Sequence, residues 1–384
     1  MSEWPTVALR HIARLEYGDA LPGDARIDGD VPVVGSGGTD STHNHANSGP
    51  GPAIVVGRKG SAGSVRWFDE PVHVIDTAYW VRTGSRIDSR FLYYVLSVQR
   101  WSETTQDVGV PGLSRDLAHA TKVLLPPLDE QRRIADFLDT ETARLDALAS
   151  LRERQRTLLT DELASLLEAA FVRPYDGSRV PLMHLTDPRR PIQYGIVLPG
   201  PDWPGGIPII KGGDIAGRRL NPEELKRTDP EIERRFARSR VHGGDYVIAI
   251  RGSVGEIAPV PASLNGANLT QDSARIAPYD CDATWLGAVL RTPDLQNQMR
   301  QQTTGATIKG INISELRRLR VPTPLRGEQP GLGQRAAEHF QRSHAADEAL
   351  RASVTLIRER RQALITAAVT GQLDVTTAHG IDTR

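Results

Sequence analysis

The sequence predicts an α+β chain in which two small mixed globules alternate with two long helices. The helices are expected to pair as an antiparallel coiled coil, and the whole reads as an internal repeat with pseudo-two-fold character. Three observations predict this. The two halves share an ordered series of short motifs. Segments rich in Gly and Pro alternate with long segments almost free of both. The two long segments carry apolar residues at matching three- and four-residue spacings.

The repeat runs in order along the chain. Val31-Pro32-Val33-Val34 corresponds to Ile207-Pro208-Ile209-Ile210, and Lys59-Gly60-Ser61-Ala62-Gly63 to Arg251-Gly252-Ser253-Val254-Gly255. Phe91-Leu92 corresponds to Trp285-Leu286, Gly112-Leu113 to Gly310-Ile311, and Glu130-Gln131 to Glu328-Gln329. Leu151-Arg152-Glu153-Arg154 corresponds to Ile357-Arg358-Glu359-Arg360. The offset rises slowly, from 192 residues (Gly60 to Gly252) through 194 (Leu92 to Leu286) and 198 (Gly112 to Gly310) to 206 (Leu151 to Ile357). Small insertions in the second copy explain the drift.

Each copy begins as a globule. Short β-branched runs such as Ala53–Val56 and Tyr246–Ile250, set between turn signals, read as strands. Leu92–Ser97 and Trp285–Arg291 read as helices. From Asp129 to Phe171 there is then no Gly or Pro, and Leu, Ala, Glu and Arg dominate. Pro126-Pro127 stops the preceding segment, Asp129 is the expected N-cap, and about 40 helical residues would extend about 60 Å. The second helix is expected from about Gly333 to Thr370, with Gly371 as its stop. Leu148, Leu151, Leu158 and Leu159 mark the stripe of the first helix; Val354, Ile357, Leu364 and Ile365 mark that of the second. Such narrow stripes suit a helix-pair seam. The expected boundaries are 1–127 for the first globule, 128–172 for its helix, 173–324 for the second globule, 325–375 for its helix and 376–384 for a tail.

Composition narrows the function. The 384 residues exceed one typical domain, and 39% hydrophobic with 24% charged is a globular balance. No apolar run approaches a bilayer span, and the N-terminus lacks the basic-then-apolar order of a signal peptide, so a cytoplasmic protein without a membrane role is expected. The one cysteine, Cys281, excludes an internal disulfide framework and any cysteine-cluster zinc site. With 47 basic against 47 acidic residues the formal charge is zero, which speaks against coating nucleic acid by bulk charge but not against local patches. All but five of the cations are Arg, the better bidentate partner for phosphate and guanine.

No fragment reads as a catalytic centre. Gly57-Arg58-Lys59-Gly60-Ser61 lacks the residue order of a phosphate-binding P-loop. His43 and His45 lie in a polar loop without a third ligand in sequence and are expected to be solvated. Asp202, Glu224 and Lys226 have the letter pattern of a metal-dependent nuclease, but Glu224 falls in a polar stretch instead of an apolar strand. Cys281 has no base placed beside it in sequence, and no Gly-rich cofactor fingerprint follows a strand. Neither a catalytic residue nor a metal site is expected; the chain reads as a binder.

The cations point to what is bound. Arg58, Lys59 and Arg66 stand in Gly51–Phe68, a stretch with no acid, and Arg251 occupies the matching turn of the second copy. Arg300, Lys309, Arg317, Arg318 and Arg320 face only Glu315. Basic turns rich in Gly, Ser and Thr let backbone N–H groups and hydroxyls approach phosphates. The candidate DNA contacts are Arg58, Lys59, Ser61 and Arg66 in the first copy, and Lys211, Arg251, Ser253, Thr307 and Lys309 in the second.

These residues carry a family resemblance. The order globule, helix, globule, helix, the string Pro126–Ala135 (PPLDEQRRIA) and the turn Ile250–Gly255 resemble the specificity subunit of type I restriction–modification systems. So do Gly57–Ser61 followed by Asp76-Thr77-Ala78-Tyr79, and Gly305–Ile313 closing the second globule. The likeness runs from about Trp4 to about Val375. It departs at Gln329-Pro330-Gly331-Leu332-Gly333, which interrupts the approach to the second helix. The resemblance implies two target recognition domains, each reading one half of a split double-stranded DNA sequence. It implies that the helix pair sets the gap and docks two methyltransferase subunits, with endonuclease–translocase subunits joining them. The chain itself would be non-catalytic and hold no cofactor; S-adenosylmethionine would belong to the methyltransferase. Readers on one face of a duplex must stand about 34–36 Å apart or a multiple of it, within reach of such helices. Two other readings stay open on the residues alone: a protein-only coiled-coil scaffold, and a nuclease built on Asp202, Glu224 and Lys226.

Overall fold

The computed structural model of the chain describes residues 4–101, 112–215, 220–303 and 310–375. The first half contains β1 (Thr6–Ala8), β2 (Ala13–Tyr17), β3 (Val31–Gly35), β4 (Gly38–His43), β5 (Ala53–Gly57), β6 (Val65–Phe68), β7 (His73–Val74) and β8 (Ala78–Thr83). Helices α1 (Ser89–Ser97) and α2 (Arg115–Ala120), strand β9 (Lys122–Leu124) and the long helix α3 (Leu128–Phe171) follow. The second half contains β10 (Arg179–Pro181), β11 (Gln193–Tyr194), β12 (Ile207–Ile210), α4 (Gly212–Ile215), β13 (Arg227–Thr228), α5 (Pro230–Arg234), β14 (Tyr246–Ala249) and β15 (Ile257–Pro259). After these come β16 (Asn268–Leu269), β17 (Ser273–Ile276), α6 (Ala283–Val289), α7 (Pro293–Gln301), α8 (Ile313–Arg318), β18 (Arg320–Pro322) and the long helix α9 (Gln329–Val369).

The sheets repeat strand for strand. The first half has sheets ordered β2-β8-β5-β6, β4-β3-β7 and β1-β9; the second has β11-β17-β14-β15, β13-β12-β16 and β10-β18. Even the parallel pairing recurs, β3 with β7 and β12 with β16. The structure locates the largest step in the offset. The offset is 176 residues at Val31 and Ile207 but 192 at Gly60 and Gly252. The extra residues lie between β12 and β14, where α5 stands. There Glu233 accepts hydrogen bonds from Arg240 Nε (2.7 Å), Arg240 Nη2 (2.6 Å) and Asn268 Nδ2 (2.8 Å).

The chain divides into two compact units, and the division falls inside both long helices. One unit comprises residues up to Glu153 and from Arg351 onward; the other runs from Arg154 to Leu350. In the first unit Leu15, Ile54, Val56, Phe91, Leu92 and Leu96 form the core with Ile134 and Leu138 from α3. Ile365, Ala368 and Val369 from the end of α9 enter the same core. In the second, Ile248, Ile276, Trp285, Leu286 and Val289 pack with Leu332 and Ala336 from α9 and with Leu167 and Phe171 from the end of α3. Each globule therefore grips the start of one long helix and the end of the other.

A buried glutamine ties each helix start to its globule. Gln131 Oε1 accepts from the Asp88 N–H (2.7 Å) while its Nε2 donates to the Pro126 carbonyl (2.8 Å). Gln329 does the same with Asp282 (2.9 Å) and Pro324 (3.3 Å). Asp88 and Asp282 in turn cap α1 and α6, accepting from Phe91 N and Trp285 N. Inside a core, such amides must be paired, and here each polar group finds its partner.

The helices run antiparallel within each unit. Arg361 pairs with Asp146 (3.0 Å) and Arg358 with Glu153 (3.6 Å) in the first; Arg156 pairs with Asp347 (2.8 Å) in the second. The expected seam is only partly buried. Val354 and Ile357 are buried and Leu148 and Leu364 half-buried, but Leu151 is 47% and Leu158 66% exposed. The reason is register. Equivalent core positions of the two helices differ by 198 residues, as in Gln131 and Gln329, Ile134 and Leu332, or Phe171 and Val369. An offset of 206 adds eight residues, which turns a side chain about 80° around the helix.

Two helix starts also differ from expectation. Asp129 lies inside the first turn of α3, not at its cap; there its carboxylate faces the positive end of the helix dipole. Helix α9 starts at Gln329 and runs through Pro330, Gly331 and Gly333. A proline in the first turn forfeits only an N–H that would lack an intrahelical partner. Gly333 stands where a Cβ would lie 2.7 Å from Trp285 N, so its absence lets α9 press against the start of α6.

Candidate functional site

The two basic turns have the same construction. In the first unit Gly57 N donates to Ser64 O (2.8 Å), Gly63 N to Gly57 O (2.8 Å) and Ser64 N to Ser61 O (3.2 Å). In the second, Ala249 N donates to Glu256 O (2.9 Å), Gly255 N to Ala249 O (3.0 Å) and Glu256 N to Ser253 O (3.2 Å). Gly60 and Gly252 share a φ of 71°, and Gly63 (80°) and Gly255 (93°) are also left-handed, a backbone that side chains resist. The turns keep these glycines because the chain must reverse within one hairpin.

Each turn is braced from two sides. Arg58 and Lys59 donate their N–H groups to Thr77 O (2.9 and 3.1 Å); Ile250 and Arg251 donate to Asp272 O (2.9 and 3.3 Å). Leu113 N donates to Arg58 O (2.8 Å) and Ile311 N to Ile250 O (2.9 Å), with bridges Lys59 to Gly112 and Arg251 to Gly310. Backbone pairing thus joins segments far apart in sequence around one exposed turn.

A further duplicated segment shares that brace and was missed in the sequence. Tyr17-Gly18-Asp19-Ala20-Leu21-Pro22-Gly23 matches Tyr194-Gly195-Ile196-Val197-Leu198-Pro199-Gly200, a Tyr-Gly-x-x-Leu-Pro-Gly repeat at an offset of 177. Asp19 N donates to Val74 O (3.0 Å), and Gln271 N donates to Ile196 O (3.1 Å), so each segment hangs from the strand end that also holds the basic turn. Gly18 and Gly195 press on the carbonyls of Ile75 and Leu269 so closely that a Cβ would collide with backbone. Tyr17 and Tyr194 are each 45% exposed, and the Tyr17 ring lies 4.8 Å from the Arg58 guanidinium. The signal was the heptapeptide itself, whose offset of 177 agrees with the 176 of the Val31 and Ile207 match.

The candidate contacts divide into exposed and engaged residues. Lys59, Ser61, Arg251 and Ser253 are exposed on the turns, and Lys211 is half-buried. Lys211 is brought near Arg251, since a Cβ on the adjoining Gly212 would lie 3.4 Å from Arg251 O. Arg58 and Arg66 are engaged. Arg58 Nη1 donates to Asp76 O (3.0 Å), and Arg66 donates to Ser36 O (2.8 Å) and Gly37 O (3.1 Å), pinning the β3–β4 turn beside Gly60. Thr307 and Lys309 lie outside the described residues.

The groups set aside as chemistry have local duties. Asp202 Oδ1 accepts from Arg227 N (2.8 Å), Glu224 Oε1 accepts from Asn221 Nδ2 (2.8 Å), and no cluster of metal-binding side chains forms among the described residues. His45 is exposed, but His43 is buried, contrary to expectation. Its Nδ1 accepts from Ile27 N (3.1 Å) and its ring meets His73 edge-on at 5.0 Å. The half-buried Cys281 thiol is pushed up to about 11 by burial, which keeps it protonated. Burial also pushes Tyr79 up to about 12, so its hydroxyl stays a donor to Leu113 O (2.9 Å) behind the first turn.

Comparison with known proteins bears on this arrangement. The family model described as the type I restriction modification DNA specificity domain matches residues 1–154. The type I restriction enzyme EcoBI specificity subunit of Escherichia coli is 26% identical over 348 residues, covering 83% of this chain and 73% of that protein. A chain from a solved structure concerned with complex assembly and conformational transition of the type I R-M system shares the fold, at a TM-score of 0.71 and 18% identity. That alignment covers 97% of this chain and 99% of the other. No described helix is long and apolar enough to cross a membrane.

Proposed function

We infer that this chain is a DNA specificity subunit of a type I restriction–modification system. It is the subunit that recognises DNA for the complex. Each globule reads one half of a bipartite double-stranded target. The observation that carries this division is the duplicated, doubly braced basic turn, exposed in both units with Lys59 and Ser61 on one and Arg251 and Ser253 on the other. A rigid turn with free hydroxyls and a cation fixes register on phosphates, leaving neighbouring side chains to read base edges.

The long helices set the gap between half-sites and dock two methyltransferase subunits. Exposed leucines on them support a partner there: Leu151 and Leu356 in the first unit, Leu158 and Leu166 in the second. Those methyltransferases bind S-adenosylmethionine and flip the target base, and endonuclease–translocase subunits join the assembly in the cytoplasm. This chain contributes no catalytic residue and holds no cofactor. Its zero net charge implies weak DNA binding alone and tight binding once assembled. The nuclease reading gains no support, since Asp202 accepts from Arg227 N and Glu224 from Asn221 Nδ2.

The decisive measurement is the adenine-methylation pattern of the host genome with the gene present and deleted. Loss of one bipartite methylated motif is expected; an unchanged pattern beside an active methyltransferase would refute the assignment. In the assembled complex, Arg251→Ala should weaken binding to all duplexes about equally and lower the salt slope, since phosphate contacts carry no sequence information. A change in the sequence preferred would show that the turn reads bases.

A further inference from the structure

We propose that Tyr17, Arg58 and Arg115 form a phosphate-gripping cluster in the first globule that the described residues of the second globule do not repeat, so that the two half-sites are held by different physics. This rests on the DNA-reading function above and adds to it the residues that distinguish the two readers. The guanidinium of Arg58 lies 4.8 Å from the centre of the Tyr17 ring and that of Arg115 lies 4.7 Å from the same ring. Among the described residues neither arginine has an ion-pair partner. Arg58 commits Nη1 to the Asp76 carbonyl, which leaves donors of its fork free. Two guanidiniums without an ion-pair partner among the described residues converge on one half-exposed ring. Cation–π stacking orients their planes without consuming their N–H groups. The site therefore suits a doubly accepting anion, and a phosphodiester on a duplex meets that description.

The second globule keeps the tyrosine and loses both cations. Ile250 makes the same backbone bonds as Arg58, and its side chain is buried. Arg115 opens α2 after Ser114 just as Ile313 opens α8 after Asn312. No described cation stacks on Tyr194, which is as exposed as Tyr17. Tyr17 is accordingly a positioning residue, acting through the two arginines.

The test uses the full chain purified with its methyltransferase partner, and a duplex carrying the motif whose methylation depends on this gene. Affinity is measured from about 50 to 200 mM salt. Arg115→Ala should reduce the slope of log K against log salt by about one, the value of one phosphate contact. Tyr17→Leu should reduce it similarly by releasing the guanidiniums, and Tyr17→Phe should restore the parent slope because the ring suffices. Tyr194→Leu should leave the slope unchanged. Parent slopes in both Arg115→Ala and Tyr17→Leu, with target binding otherwise intact, would overturn the cluster while leaving the DNA-reading function in place. Failure of the unsubstituted complex to bind any duplex would overturn both.

Discussion

The two units share a strand order and differ in what clasps each globule to its long helix. In the first, Arg90 stacks over Trp67 at 4.6 Å and donates from Nε to Asp139 on α3 (2.7 Å), with Tyr94 bonded to the same carboxylate. In the second, Arg291 stacks over Phe340 of α9 at 5.1 Å, and close packing adds to it. Gly333 of α9 nests against Trp285 and Thr284, and Gly287 of α6 lies against the Tyr246 ring. Position 90 is equivalent to 284, so at that position a cation and its carboxylate give way to close packing, while the second unit's helix-facing cation is Arg291. A polar clasp is directional, whereas a close-packed one depends on volume. One topology accepts either.

The largest effects should come from the packed joint. Trp285→Ala should cost about 3–5 kcal/mol, and Phe91→Ala at the matching position of the first unit a similar amount, because both rings are wholly buried. Urea unfolding of the two variants compares them directly. A much smaller loss for one would show that its helix is held mainly by the clasp and not by the core.

Next come the glutamines that the two units have in common. Gln131→Ala and Gln329→Ala each strand an N–H and a carbonyl, and each should cost about 1–3 kcal/mol. Equal shifts in thermal midpoint would confirm that the joint is duplicated in energy as well as in form. The Gln329 bond to Pro324 is longer, so any difference should favour Gln131 as the costlier loss.

The smallest effects concern pH, where the units should part. The Arg240 guanidinium holds Glu233 below its usual 4.5, so the unfolded chain takes up protons first. Its contribution is present above about pH 4.5 and is lost as pH falls through the lower folded value. Burial, reinforced by Arg115, holds His119 below its usual 6.5, and its Nε2 accepts from Leu15 N (2.9 Å). That contribution is present above about pH 6.5 and is lost on acidification below it. Stability measured from pH 8 to 4 should therefore weaken first in the first unit, and His119→Gln should flatten that early loss. Glu233→Gln should flatten the later one. A first unit indifferent to pH between 7 and 5.5 would show that the imidazole is already paired in the unfolded chain.

Much of the site was legible because its construction is local. A Gly-Ser-x-Gly turn after a β-branched run needs left-handed glycines at fixed places, and both copies keep them at Gly60, Gly63, Gly252 and Gly255. The Tyr-Gly-x-x-Leu-Pro-Gly segments lie at the same offset as the Val31 and Ile207 match and were legible in the sequence, but composition gave them no function. The duties of Arg58 and Arg66 were not legible either. Both read as free cations in an acid-free stretch, yet their partners are backbone carbonyls at Asp76, Ser36 and Gly37, and a carbonyl acceptor leaves no mark in composition. Leu151 and Leu158 failed as seam residues because helical periodicity defines a stripe without saying which turn of the other helix lies opposite.

By itself the sequence determined the duplication, the alternation of globule and long helix, and the two basic turns. All three rest on residue type and short-range spacing, which backbone geometry converts directly into structure. Only the tertiary structure decided that Ile365, Ala368 and Val369 complete the first core, and that Leu167 and Phe171 complete the second. It also decided that a tyrosine present in both copies carries two arginines in one of them. Burial and stacking are non-local: an apolar or aromatic residue records that it needs cover, and the partner that supplies it can lie more than two hundred residues away.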